Sequence, residues 1–166
     1  MQEIMYNQYS KQVLDGLTKG AFLSVSHEGK DNTMTIGWGS LGFVWKKPVI
    51  MVMIRYSRHT YRMIDGAGEF TVSIPFGDEF KKELAFCGTK SGKDVDKFDA
   101  CNLPSIRAHK VKAPLIDGCD LHCECKVVYK QAMEPGMIEP GIDNKFYKNN
   151  DFHVMFYGEI VGTYVK

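Results

Sequence analysis

The segment Arg55-Tyr56-Ser57-Arg58-His59-Thr60-Tyr61-Arg62 concentrates guanidinium groups, an imidazole and aliphatic hydroxyls. It follows the apolar run Pro48 to Ile54, which predicts a strand buried on both faces. The spacing after it predicts a helix with Ser57 as N-cap, closed by Gly66. The first turn of a helix is partly positive and normally attracts acids, yet no acid appears here before Asp65. Free N–H groups, the Ser57 and Thr60 hydroxyls and the guanidinium groups together suit a phosphate. The competing reading is a solvated basic helix end, and the segment alone allows both.

Four further segments carry reactive types. Cys87-Gly88-Thr89-Lys90-Ser91-Gly92-Lys93-Asp94 offers hydroxyl, amide and ammonium donors. Its Gly spacing, Asp94 after Lys93 and the lack of a preceding strand separate it from a Walker A loop; it is otherwise a surface loop. Asn32 to Ser40 brings Asn32, Thr33, Thr35 and Ser40 together with Gly37 and Gly39, which allow close backbone approach, and with Trp38. Such a strand suits a planar heteroaromatic, or is an ordinary hairpin strand. Cys119 to Val127 holds three Cys and a His, but strand alternation puts Cys119, Leu121, Cys123 and Cys125 on one apolar face. Free Cys on such a face acts as a small hydrophobe, so no metal site is expected. His153, within Asp151 to Glu159, needs a partner from another segment to be more than structural.

The elements that must position these residues are mostly strands. Ala21–Ser26 and Thr33–Ser40 read as a hairpin, joined by later strands over 48–54, 69–74, 119–129 and 152–165, with Gly158 and Gly162 as bulges. Helical spacing appears over 8–17, through Tyr9, Val13, Leu14 and Leu17, and over 78–86 behind Asp78 as N-cap; a helical turn is expected near Phe98. Many strands with few short helices imply a mainly β, antiparallel barrel or sandwich, not a doubly wound sheet. No G-x-G-x-x-G follows a strand.

Composition limits the rest. With 166 residues and no linker or repeat, a single domain over 1–166 is expected. Twenty-one basic against 20 acidic residues leave no net field to favour nucleic acid or an anionic membrane. Five Cys cannot all pair, and the N-terminal residues lack a secretory pattern, so reduced thiols and a cytoplasmic setting are expected.

In order along the chain, Asn32–Trp38, Pro48-Val49, Arg55–Thr60, Phe70–Pro75, Cys87–Phe98 and His153–Val161 resemble the flavin reductase-like family, with the pattern of its flavoredoxins. The resemblance covers roughly residues 21–165. It implies an FMN-binding split β-barrel of Greek-key, antiparallel type, with FMN held non-covalently and often a homodimer. Carried over by position, Asn32, Thr33, Met34, Thr35, Gly37 and Trp38 would meet the ring and ribityl chain. Arg55, Ser57, Arg58, His59 and Thr60 would hold the phosphate, and Cys87, Gly88, Thr89, Lys90 and Ser91 would close over the flavin. His153 matches the motif's histidine and is the candidate catalytic residue, although Phe152 separates it from Asp151, where many members have the acid adjacent. The implied function is electron transfer from NAD(P)H or a protein donor through FMN to an acceptor. The alternatives are a carrier that serves only redox protein partners, or a non-catalytic dimeric binding barrel.

Overall fold

The computed structural model describes residues 1–166. A short strand β1 (Gln2–Glu3) precedes helix α1 (Ser10–Lys19). Helix α1 buries Val13, Gly16 and Leu17 and leaves Leu14 exposed. It ends at Gly20, whose φ of 112° is strained for any residue with a Cβ. β2 (Ala21–His27) and β3 (Lys30–Ile36) form the expected hairpin. Its turn, Glu28-Gly29, has positive φ at both residues, matching strand twist.

The expected strand Thr33–Ser40 is two strands. The chain leaves β3 at Gly37-Trp38 and re-enters as β4 (Gly39–Val44), which pairs with β5 (Lys47–Arg55). β3 and β4 lie at opposite ends of the sheet path. Alternation continues through the break, so sequence period alone could not reveal it. β5 is also less buried than its apolar run implies: Met51 and Met53 are half-exposed between buried Ile50, Val52 and Ile54.

Helix α2 (His59–Ala67) follows, then β6 (Glu69–Ile74), α3 (Lys81–Thr89) and α4 (Lys97–Ala100). Three helix-end expectations fail. Arg58, not Ser57, is the N-cap of α2, and Gly68, in the left-handed region, closes it in place of Gly66, which lies inside the helix. Asp78 does not cap α3, which starts behind Phe80 without a side-chain cap bond. In contrast, Asp96 caps α4, accepting from the N–H groups of Phe98 and Asp99.

A two-stranded ribbon, β7 (Ser105–Ile106) and β8 (Leu115–Ile116), leads to β9 (Leu121–Ala132). A 3-10 turn (Pro135–Met137) and helix α5 (Pro140–Phe146) then connect to β10 (His153–Val165). The main sheet is antiparallel, in the order β3-β2-β6-β9-β10-β5-β4, with β1 beside the end of β10. Met34 and Ile36 of β3 share one core cluster with Ile50, Val52 and Ile54 of β5. Strands far apart along the path thus face the same interior, so the sheet curls into a split barrel. The expected bulges occur in β10, where register against β9 shifts at Tyr157/Gly158 and Ile160/Gly162. At Gly158 an added Cβ would stand 2.5 Å from the Phe70 ring, so the core fills the space a side chain would need.

Cys123 and Cys125 lie in that core, as alternation predicts. The other face of β9 is covered too: His122 and Glu124 are buried. His122 Nδ1 lies 2.9 Å from Ser73 Oγ, and the Glu124 carboxylate accepts the N–H groups of His109 and Lys110. These polar groups are matched inside the fold, and no group of His, Cys and acidic residues is arranged to hold a metal. No helix is long and apolar enough to cross a membrane.

Candidate functional site

The split between β3 and β5 opens as a cleft of about 200 Å3, lined by Met34, Thr35, Ile36, Gly37, Trp38, Met53, Arg55, Arg58 and His153. It continues past Met34 and Arg58 into a hollow of about 100 Å3. There Ser57, His59 and Thr60 from the start of α2 face Thr89, Lys90, Ser91, Gly92 and Lys97. The two compartments differ in chemistry. The first sets the apolar side chains of Met34, Ile36, Trp38 and Met53 against Arg55, Arg58 and His153; the second holds three cationic side chains, Arg58 being shared with the first, and no carboxylate.

Register explains the first compartment. His153 opens β10 opposite Arg55, the last residue of β5, so their side chains rise side by side from the sheet. The Trp38 ring, delivered by the break between β3 and β4, stands 5.3 Å from the His153 ring and 5.0 Å from Phe146 of α5. Tyr147 Oη lies 2.8 Å from His153 Nδ1. Burial, with the Arg55 and Arg58 charges, pushes the His153 imidazole down to about 4, so it is neutral near pH 7.

The segment between β9 and β10 thereby straps the mouth of the cleft. Arg55 donates to the carbonyls of Asp151 and Phe146 and lies over the Tyr147 ring. Asp151 accepts the N–H and hydroxyl of Ser57. Arg55, which lines the cleft, and Ser57, which lines the hollow, are therefore both engaged with this strap.

In the hollow, α2 has no acid in its first turn and no side-chain cap. Helix-opening N–H groups have no partner within the helix. The Thr60 hydroxyl accepts from Asn32 Nδ2 at 2.8 Å, which leaves its own proton for another acceptor. Lys97 is buried. Its ammonium donates to the carbonyls of Thr33 and Cys87, at 2.9 and 3.0 Å, with a third N–H to spare. Burial and the Arg58 charge lower its proton affinity. At Gly92 a Cβ would stand 1.9 Å from Asn32 Oδ1, so a side chain there would displace the amide that supports Thr60. Three cations, free donors and a bare glycine wall fit a phosphate-sized anion.

Of the residues expected from sequence, Met34, Thr35, Gly37, Trp38, Arg55, Ser57, Arg58, His59, Thr60, Thr89, Lys90, Ser91 and His153 line the two compartments. Four others stand behind the walls. Asn32 supports Thr60. Thr33 bonds Ser24 and the Leu23 carbonyl. Cys87 belongs to an apolar cluster, and Gly88 packs against Thr35. Gly92, in the glycine-containing loop expected to supply anion donors, also lines the hollow, whereas Ile36, Met53 and Lys97 line the site without a sequence signal of their own. Lys97 followed a capping Asp in a polar stretch, and nothing local marks a lysine for burial. Two larger depressions, of about 900 and 620 Å3, mix acids with bases; the larger shares His59, Gly92 and Lys97 with the hollow but adds Glu28, Asp31, Asp94 and Asp96.

Known proteins agree with this architecture. The flavoredoxin of Desulfovibrio vulgaris (Miyazaki F) superposes with a TM-score of 0.70 and 25% identity, over 89% of this chain and 69% of that one. Flavoredoxin from Methanosarcina acetivorans gives 0.68 and 28%, over 89% and 68%. An uncharacterized protein of Archaeoglobus fulgidus is 35% identical over 107 residues; the match takes in 64% of this chain but only 59% of that relative's length. Residues 14–166 match the family described as flavin reductase like domain. With an antiparallel split barrel to carry it and nearly the whole chain inside the match, the protein belongs to the flavin reductase-like family.

Proposed function

We propose that this protein binds FMN non-covalently at the β3–β5 split and moves electrons through it. The observation that carries the reading is the continuity of two compartments, a hollow lined by three cations and no carboxylate opening directly into a cleft with an apolar wall of Met34, Ile36, Trp38 and Met53. FMN has the same two parts. Arg58, Lys90, Lys97 and the α2 amides would hold the phosphate. Met34, Ile36, Met53 and Trp38 would shelter the ring. When bound, the flavin supplies the reversible electron chemistry, and the protein orients it and tunes its charge. Neutral His153, next to Arg55 and Tyr147, would bound the ring's edge without adding a third positive charge to Arg55 and Arg58.

In this reading residues 1–166 act as one FMN domain in the cytoplasm, and NAD(P)H or a redox protein is the donor. Exposed Phe43, Trp45 and Tyr129 offer an apolar face for a second copy; sizing by light scattering tests the homodimer. The function itself is tested by spectra and titration. Purified protein should carry, or take up, FMN, and failure to do so sinks the reading. Rapid anaerobic bleaching by NADH or NADPH makes it a reductase; no bleaching, with reduction by a protein donor, makes it a carrier.

A further inference from the structure

We propose that Cys87 and Cys101 form a reversible disulfide that braces the cationic wall of the cleft. Cys87 lies near the end of α3, and Cys101 is the C-cap of α4. Both thiols pack in an apolar cluster with Phe22, Leu84, Leu103, Ile116 and a third cysteine, Cys119, separate from the main core; Cys119 has no thiol among its electrostatic neighbours. Each thiol is among the other's nearest electrostatic neighbours in that cluster. Cys101 is half-buried, whereas Cys87, Cys119, Cys123 and Cys125 are buried. Only this pair therefore joins a thiol open to solvent to a second thiol beside it.

The chain between the two is the wall itself: Thr89, Lys90, Ser91, Gly92 and Lys97 line the hollow. Lys97 also donates to the Cys87 carbonyl. A bond between the cysteines closes this segment into a covalent loop and removes alternative wall conformations from the free protein. The bracing rests on the phosphate reading of the hollow; the disulfide does not.

The oxidant is a peroxide, which flavins produce when reoxidised by oxygen. The Cys101 thiolate attacks one peroxide oxygen, the O–O bond breaks, and a water leaves with a sulfenic acid on Cys101. The Cys87 thiolate then attacks Cys101 Sγ, forming the S–S bond and releasing the second oxygen as water. Two thiols and one peroxide give one disulfide and two waters. Burial pushes the Cys87 thiol up to about 12 and also raises that of Cys101, so thiolate is scarce at neutral pH and the reaction is slow. This is a modification site, not a peroxidase.

The test treats the full chain with hydrogen peroxide, alkylates free thiols and maps peptides by mass spectrometry. The expected product is one cross-linked peptide joining Cys87 to Cys101, reversed by dithiothreitol, formed faster in alkaline than in neutral buffer. It should be absent from Cys101→Ser and from Cys87→Ala. Alkylation of both thiols after peroxide, or a cross-link between another pair, overturns the proposal. FMN titration of the two forms reads the bracing: the oxidised form should bind about threefold more tightly, because the wall is pre-organised. Equal affinities with the cross-link in place overturn the bracing. If neither form binds FMN, the phosphate reading fails while the cross-linked peptide still judges the disulfide.

Discussion

Two parts of this chain look reactive on paper, and they differ in what surrounds their polar atoms. On β9, Cys123, Cys125, His122 and Glu124 crowd together, yet every polar group is answered from inside. Ser73 meets His122, and two backbone N–H groups meet Glu124. At the β5–α2 junction, Arg58, Lys97 and the opening amides of α2 face a hollow with no carboxylate in it. The lesson is that reactive residue types do not make a site. Donors left over after internal bonding do, because burying them unmatched has a cost that a ligand removes.

The comparison is sharpest at the two histidines. Burial lowers both His122 and His153 to about 4. Each stays neutral in the fold while the unfolded chain protonates near 6.5, so stability is full above pH 6.5 and falls as pH drops toward 4. Together the loss should be on the order of 6 kcal/mol by pH 4, visible in denaturant midpoints across that window. FMN loading should shift the ring-proton titration of His153 but leave His122 in place; equal responses would erase the distinction between core and cleft.

Next in size, Glu124→Ala strands the amides of His109 and Lys110 and should cost roughly 3 kcal/mol of stability. The folded fraction should keep its FMN affinity. Loss of affinity at unchanged stability would mean that the covered face of β9 takes part in the site. Arg58→Ala reverses the pattern: about 2 kcal/mol of binding, or roughly 30-fold in Kd, with little change in melting. Exposed Lys126→Ala is the matched control, and equal affinities of the two variants in a fluorescence titration would sink the phosphate assignment. The smallest effect belongs to Tyr147→Phe. Losing the bond to His153 Nδ1 should lower stability by about 1 kcal/mol, seen as a reduced denaturant midpoint.

Sequence alone determined much of this molecule. Period-two runs marked β2, β6, β9 and β10, and glycines marked the bends in β10, because strand alternation and glycine freedom are local properties. The acid-free start of α2 pointed to an anion for the same reason: the helix end carries its charge wherever it is placed. Tertiary structure decided what depends on distant partners. It split Thr33–Ser40 into two strands, because β5 offers β4 an edge that β3 does not share. It took Asp151 to Ser57 in place of the expected cap, and it folded 133–152, which has no periodicity of its own, across Arg55 and Trp38. It also buried Lys97 beside Arg58, since only the meeting of β3, α3 and α4 supplies the carbonyls that make a buried ammonium tolerable.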